Sequence, residues 1–218
     1  MKVDTAPRGG QDWEDHLRAV ARERSGGADP AHDYLHVLRV TANARRIATA
    51  EGADEDVVVP AALLHEIFNY PKDHPLSHLS GDKCAEEAAA VLAGEGWAAE
   101  RVEAVAYCIR VHSFSRGIVP VTLEGQVVQD ADRLDAIGAV GVARCFSTGA
   151  SLGRPFYQLE DPFCRRRPPD DKEWTVDHFY RKLLHIPETL HTATAHRLAE
   201  ERMIWMKGFL AQFEREMD

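Results

Sequence analysis

The stretch VVVPAALLHEIF at residues 57–68 is apolar along most of its length and carries the polar pair His65-Glu66 near its end. A segment that is apolar nearly all round predicts a helix in the middle of the core. Pro60 stands early in the stretch, where the first turn of a helix tolerates proline. Asp54, just upstream, is a suitable N-cap residue, so the predicted helix runs from there towards residue 68.

Helical periodicity extends from this central segment in both directions. Residues 33–51 form an amphipathic pattern that ends just before Gly52, and residues 13–24 repeat apolar side chains at spacings of four and three. Further helices are predicted over 81–93, 98–112, 123–146 and 176–217. Because no alternation of strands and helices is visible, the sequence predicts an all-α helical bundle formed by a single domain.

Both ends of the chain and one internal segment bear on domain organisation. Residues 1–10 contain no apolar run and are predicted to be a flexible N-terminus that precedes a helical domain over 11–218. Residues 147–175 are rich in Gly, Pro and Arg and are interpreted as an ordered loop or lid. The C-terminal helices of 176–218 are expected to pack on the core, and the apolar stripe within 196–213 is interpreted as core or as the seam of a homodimer.

The net charge of the chain bears on which kinds of ligand it can bind. Lys and Arg number 26 and Asp and Glu 35, which gives a net charge of −9. A strongly acidic chain repels the phosphate backbone of nucleic acids, so general nucleic-acid binding is not expected. A small phosphorylated substrate is compatible with this charge, because a cation in a pocket reverses the local field.

The cysteines and the hydropathy bear on the compartment. Four cysteines leave a disulfide open, but their wide spacing favours reduced, buried thiols in a cytoplasmic protein. No apolar run is long enough to span a bilayer, so no membrane association is predicted.

The His65-Glu66 pair is chemically unusual where it stands. Burying two polar side chains at the inner end of an apolar helix costs free energy unless a partner satisfies them. A metal ion would satisfy both, because mixed nitrogen and oxygen ligands suit Mn²⁺, Fe²⁺, Co²⁺, Ni²⁺ and Zn²⁺. Taken alone, however, the pair fits a capping histidine beside a solvated glutamate better.

Three segments occur in an order that resembles the signature of the HD superfamily. HVLRV at 36–40 is similar to that family's H-x-x-R-V run, ALLHE at 62–66 to the His-Asp doublet ending an apolar helix, and ADRLD at 131–135 to its A-D-R-L run. Further segments resemble a group of small bacterial HD hydrolases: 111–114, 135–139, 153–155 and 178–184.

The resemblance implies a metal-dependent phosphohydrolase that acts on a phosphate ester or phosphoanhydride, with a nucleotide as the leading substrate class. It also implies one divalent metal ion (Mn, Fe, Co, Ni, Mg or Zn), which would lower the pKa of a bound water and neutralise charge on phosphate. Carried onto this chain, the metal ligands are His36, His65, Glu66 and Asp132.

The same resemblance, weighed against simpler interpretations, gives further site residues. Those predicted to take part in catalysis are Glu66, Asp135 and His112. Those predicted to bind substrate are His32, Asp33, Arg154 and Lys182. Asp33 and His112 could instead cap helices. Asp130 and the run Arg165 to Arg167 are interpreted as solvated.

Glu66 departs from the family pattern, which has Asp at this position. Glu retains the carboxylate but is longer by one methylene, a bond of about 1.5 Å. Two alternatives to a phosphohydrolase therefore stay open. One is a non-catalytic module that binds metal or nucleotide; the other is a dinuclear HD oxygenase in which His74, His78 or His112 supplies added ligands.

Overall fold

The computed structural model describes residues 12–25, 33–70, 74–113 and 117–217. Every regular element in these ranges is helical, which confirms the all-α prediction. The α-helices are α1 (Asp12–Arg24), α2 (Tyr34–Glu51), α3 (Glu55–Leu64), α4 (Ser80–Gly94), α5 (Ala99–Val111), α6 (Leu123–Asp135), α7 (Gly138–Ser151), α8 (Asp177–Arg181) and α9 (Ala193–Arg215). Short 3-10 helices cover Ser77–Leu79 and Leu183–Thr189. The predicted flexible N-terminus, residues 1–10, and His32 lie outside the described residues.

The chain divides into two compact units, and the division falls between Asp132 and Arg133 in the last turn of α6. The first unit contains the described residues up to Asp132, and the second contains those from Arg133 onward. No helix in the described ranges combines the length and the apolar character needed to cross a bilayer.

Helix α3 is the centre of the first unit. Every residue from Val57 to Leu64 is buried, and the helix packs against α1, α2 and α5. The Asp54 side chain accepts a hydrogen bond from the Asp56 backbone N–H and so caps the helix, as predicted. Pro60 is the sixth residue of α3 and lies inside the helix. Its placement in the first turn was wrong, because the cap starts the helix before the apolar run begins.

Helix α2 is bounded by the two signals present in its sequence. The Asp33 carboxylate accepts a hydrogen bond from the His36 backbone N–H over 2.9 Å at the start of the helix. Gly52 ends it with a left-handed φ of 76°, and its N–H donates to the Ala48 carbonyl. The buried face of α2 includes His36, so the cap also fixes where this imidazole enters the core.

In the second unit, α7 and α9 pack closely together. Phe146 of α7 contacts Phe209 and Phe213 of α9, with ring centroids 6.0 Å apart in both pairs. Met203 and Met206 on α9 are also buried. The apolar stripe of α9 therefore supplies core to the second unit.

Residues 152–176 connect α7 and α8 without a long helix and are held by polar contacts. The Asp161 carboxylate accepts three backbone N–H hydrogen bonds, from Arg165 (3.0 Å), Arg166 (2.7 Å) and Arg167 (3.1 Å). The Arg167 guanidinium then donates to both carboxylate oxygens of the fully buried Asp177. The prediction that the arginine run is solvated was wrong for Arg167, because its side chain is only 21% exposed and pairs with the buried Asp177.

We predict that Arg167→Met lowers the free energy of unfolding by about 3 kcal/mol, because the substitution leaves the buried Asp177 charge without its cation. Urea denaturation monitored by circular dichroism measures this change through the midpoint at a constant m value.

Arg165→Met is the matched control in the same run. Arg165 pairs with Glu214 at the surface, and its side chain is 66% exposed. Its substitution should change the stability by less than about 0.5 kcal/mol. Equal losses in the two variants would contradict a specific role for the buried pair.

Candidate metal centre

His65 stands at the C-terminus of α3, where the helix ends four residues earlier than the apolar pattern predicts. Its Nδ1 lies 2.7 Å from the Ala62 carbonyl oxygen. A carbonyl can only accept, so Nδ1 carries the proton and the neutral ring keeps a lone pair on Nε2. In a continuing helix, the backbone N–H of Glu66 would occupy that carbonyl. The side chain thus competes with the helix and stops it.

The environment keeps the His65 imidazole neutral. Its side chain is buried, and burial together with the nearby His112 and His36 lowers its pKa to about 3. Only the neutral imidazole offers a lone pair to a metal ion. At neutral pH, His65 is therefore in the form that a metal ligand requires.

His36 faces His65 across the core of the first unit. The two Nε2 atoms are 3.2 Å apart, and the ring planes meet at 61°. His36 is completely buried on the first turn of α2. Two residues 29 positions apart thus direct ring nitrogens at the same point.

Asp132, on α6, brings a carboxylate close to the His36 ring. Its Oδ1 lies 3.4 Å from His36 Nε2, and its side chain is 23% exposed. Burial alone would raise the pKa of Asp132, but the hydrogen bond from His36 and the further interactions with His36, His112 and His65 hold that pKa well below its usual value. The carboxylate is therefore an anion beside the two imidazoles.

Glu66 follows His65 in the turn after α3 and is only 9% exposed. One of its carboxylate oxygens and one ring nitrogen each from His36 and His65 all lie within 4.8 Å of one another. The Asn69 side-chain amide donates a hydrogen bond to Glu66 Oε2. The longer side chain thus still brings a carboxylate to the histidine pair, with Asn69 as its anchor.

This donor set fits a divalent transition metal. Two ligands about 2.1 Å from one ion and at a right angle to each other lie about 3.0 Å apart, close to the 3.2 Å between the His36 and His65 Nε2 atoms. Two neutral nitrogens and two carboxylates also match the ligand preference of Mn²⁺, Fe²⁺, Co²⁺, Ni²⁺ and Zn²⁺. The hydrogen bond from His65 Nδ1 to a carbonyl is the outer contact that orients metal-binding imidazoles.

His112 repeats the arrangement of His65 at the end of α5. Its Nδ1 lies 2.6 Å from the Ile109 carbonyl oxygen, three residues earlier, which leaves Nε2 free of the backbone. The ring is buried, and its centroid is 5.2 Å from that of His65. His112 is therefore both the C-terminal cap position of α5 and a neighbour of the metal-ligand cluster.

Other predicted site residues have identifiable partners. Asp33 caps α2, as described above. The Asp135 carboxylate is buried and accepts a 2.7 Å hydrogen bond from Arg144 within the second unit. Arg154 and Lys182 also belong to the second unit. Among the described residues, the group whose possible ligand atoms all lie within 4.8 Å of one another is His36, His65 and Glu66. It does not include Asp132, whose Oδ1 lies 3.4 Å from His36 Nε2, and it includes neither His74 nor His78.

Some residues around the cluster were missed or misread from the sequence. Asp130, interpreted as solvated, is completely buried, so that prediction was wrong. Gln129 is also buried and donates to the carbonyls of Val111 (2.8 Å) and Ile118 (2.9 Å). These bonds tie the end of α5 to α6. The only available signal was a polar pair directly after Val127-Val128 on a helix.

Known proteins resemble this chain in both sequence and structure. Residues 33–137 match the HD domain family. The uncharacterized protein YpgQ of Bacillus subtilis (strain 168) is 34% identical over 205 residues, which cover 92% of this chain and 90% of that protein. The crystal structure of Bacillus subtilis YpgQ in complex with ADP has a TM-score of 0.71 at 34% identity and covers 93% of this chain and 97% of that chain.

A further solved structure is the HD-superfamily hydrolase from Bacillus thuringiensis. It has a TM-score of 0.73 at 28% identity, and the match covers 95% of this chain and 97% of that chain. The family match spans the segment that contains His36, His65, Glu66 and Asp132. Together with a relative that is 34% identical over most of both chains, this match shows that the chain belongs to the HD-domain family.

Proposed function

We propose that this chain is a metal-dependent phosphohydrolase that cleaves a phosphate ester or phosphoanhydride of a nucleotide. The proposed ligands of its single divalent ion are His36, His65, Glu66 and Asp132. The observation that carries the proposal is the 3.2 Å approach of two buried imidazole nitrogens, with the Asp132 carboxylate 3.4 Å from His36 and a Glu66 carboxylate oxygen within 4.8 Å of both rings.

The substrate class is supported by charge and by similarity. The chain has a net charge of −9, so a phosphorylated substrate requires a local cation, which a metal in this cluster would supply. Bacillus subtilis YpgQ has been crystallised with ADP. We extend that ligand class, a nucleotide, to this chain.

Each residue of the proposed site has its own chemical role. When bound, the divalent ion would make a coordinated water more acidic and would neutralise charge on the phosphate. His36 and His65 contribute neutral nitrogens, whereas Asp132 and Glu66 contribute negative charge. His112 can hold or release a proton at Nε2, because its Nδ1–H is committed to the Ile109 carbonyl. We assign Asp135 a positioning role and no direct part in the reaction, because its carboxylate accepts a hydrogen bond from Arg144.

A non-catalytic module that binds metal or nucleotide is the second candidate. It is favoured by the hydrogen bond between Asn69 and Glu66 Oε2, which reduces the carboxylate's freedom to act on water. A dinuclear oxygenase has less support. His74 Nδ1 accepts from the Leu76 backbone N–H, and its ring stacks on Tyr70 with centroids 4.7 Å apart.

We predict that the wild-type chain binds one Mn²⁺ and that His65→Ala weakens this binding by at least about tenfold, because it removes a neutral nitrogen ligand. Elemental analysis after dialysis, together with Mn²⁺ titration, measures the effect. His185→Ala is the control, since the His185 side chain is 59% exposed and pairs only locally with Glu188. Equal Mn²⁺ affinity in all three proteins would contradict the site, and two irons per chain would favour the oxygenase.

We predict that Glu66→Gln reduces kcat/KM for nucleotide hydrolysis by at least about tenfold and weakens Mn²⁺ binding, because it keeps the length but removes the anionic charge. Glu66→Asp should retain more activity than Glu66→Gln, because it keeps the charge. The assay follows phosphate and pyrophosphate release from nucleoside mono-, di- and triphosphates with each of several divalent metals.

Asn69→Ala tests the anchor of the same carboxylate and should have a smaller effect than Glu66→Gln. Unchanged metal affinity and hydrolysis in both Glu66 variants would show that Glu66 is not a ligand. Thermal stabilisation by nucleotide without any turnover in the wild type would favour the binding module.

A further inference from the structure

The second unit contains a group of basic side chains around His178, here called the His178 cluster and comprising Arg154, Asp171, His178 and Lys182. Two backbone hydrogen bonds bring its parts together. The Thr175 N–H donates to the Pro155 carbonyl over 3.0 Å, and the Val176 N–H donates to the Phe156 carbonyl over 2.8 Å. The segment that begins at Arg154 therefore runs beside the approach to α8.

His178 and Lys182 come from the same helical turn. Lys182 directly follows α8, and its N–H donates to the His178 carbonyl over 3.0 Å, so the backbone holds the two residues close together. On the other side of the connection, the Arg154 N–H donates to the Gly149 carbonyl at the end of α7 over 2.9 Å. Packing is tight here, because a Cβ on Gly149 would lie 2.2 Å from Thr175 Oγ1. The backbone thus sets the positions from which both cations extend.

Asp171 orients the His178 ring. His178 Nδ1 lies 2.7 Å from Asp171 Oδ2, and the two side chains are 31% and 29% exposed. Since an ionised carboxylate accepts, Nδ1 carries the proton, and Nε2 is the nitrogen left for another partner. The ring is therefore held by Asp171 and is still accessible to a solute.

The charges around His178 favour an anion. Burial lowers the pKa of His178, the hydrogen bond to Asp171 opposes that effect, and the positive charges of Lys182 and Arg154 lower the pKa further. Cys145 of α7 adds no charge, because burial raises the pKa of its thiol to about 12. Two cations thus adjoin an imidazole that has one carboxylate partner, and an incoming anion would relieve their repulsion.

Arg154 differs from three of the other arginines of this unit in its surroundings. Arg144, Arg165 and Arg167 each form an ion pair with a carboxylate. Among the described residues, the Arg154 side chain forms no such pair, although the chain has an excess of acidic residues. A guanidinium that can donate two parallel hydrogen bonds is well suited to phosphate oxygens.

We propose that the His178 cluster is a phosphate-binding site, in which an anion enters beside Arg154 and Lys182 and His178 takes up one proton from solvent. The resulting imidazolium keeps its Nδ1–H on Asp171 and donates its new Nε2–H to a phosphate oxygen. This assigns His178 and Asp171 to ligand binding, in addition to the two cations predicted from the sequence. The inference rests on the proposed function only for the source of the phosphate, which is the polyphosphate part of a nucleotide. The alternative source is free inorganic pyrophosphate or phosphate.

Binding of inorganic pyrophosphate to the full-length, metal-stripped chain in EDTA tests the proposal by calorimetry. We expect binding by the wild type and a loss of affinity of at least about tenfold in His178→Asn, because the shorter amide can still reach Asp171 but cannot replace Nε2. His178→Gln, which places an amide nearer to Nε2, should retain more affinity. His185→Asn, at an exposed position that pairs with Glu188, should bind like the wild type.

Arg154→Gln is the second test and should also weaken pyrophosphate binding. It covers the case in which thermal unfolding shows that His178→Asn is poorly folded. Comparing ADP, pyrophosphate and adenosine separates the two sources: tighter binding of ADP than of pyrophosphate indicates a nucleotide, and binding of adenosine alone contradicts the proposal. Wild-type affinity in folded His178→Asn and Arg154→Gln, or no pyrophosphate binding by the wild type, would also overturn it.

This outcome is independent of catalysis at the metal centre. If pyrophosphate binds through the His178 cluster but no metal supports hydrolysis, the proposed function fails and the phosphate site stands. If hydrolysis occurs while the His178 and Arg154 variants keep wild-type affinity and KM, the phosphate site fails and the proposed function stands.

Discussion

The hydrogen bond from His65 Nδ1–H to the Ala62 carbonyl fixes the chemistry of the first unit. It uses a carbonyl that a continuing helix would need, so it ends α3 at the point where the apolar run meets the polar pair. It also fixes the tautomer, and the burial of α3 keeps the ring neutral. The same bond therefore sets the end of the helix, the direction of Nε2 and the position of Glu66 in the turn that follows.

The surrounding elements converge on that nitrogen. The Asp33 cap starts α2 so that His36 enters the core on the first turn, and α6 brings Asp132 to His36. Gln129, one turn before Arg133 on α6, ties that helix to the end of α5, where His112 lies. His36, Gln129 and His112 are buried, and each has a hydrogen-bond partner that offsets the cost of burial.

Much of this arrangement could be predicted from the sequence. The uniform apolar character of 57–64 predicted a buried central helix, Asp54 predicted its start, and Asp33 and Gly52 predicted both ends of its neighbour α2. The resemblance to HD proteins implied that His36 and His65 meet, although 29 residues separate them. These features depend on local signals or on a motif whose order is visible in one chain.

What could not be predicted depends on long-range polar contacts. The burial of Asp130, the Asn69 anchor of Glu66 and the Arg167–Asp177 pair leave no periodic pattern, because each joins side chains through turns or loops. The environment of His178 was equally hidden, since Asp171 lies in a segment rich in turns. Partner choice in such segments is decided by the backbone path, which composition and spacing do not specify.

The most direct test of the central claim is X-ray absorption spectroscopy of the full-length chain loaded with one equivalent of Mn²⁺ or Co²⁺. We expect a single metal environment with two imidazole nitrogens and further oxygen ligands, and metal–nitrogen distances of roughly 2.1 Å. Coordination of the metal by oxygen atoms alone, or a metal–metal scattering path from a dinuclear centre, would contradict the proposed histidine ligation of a single ion.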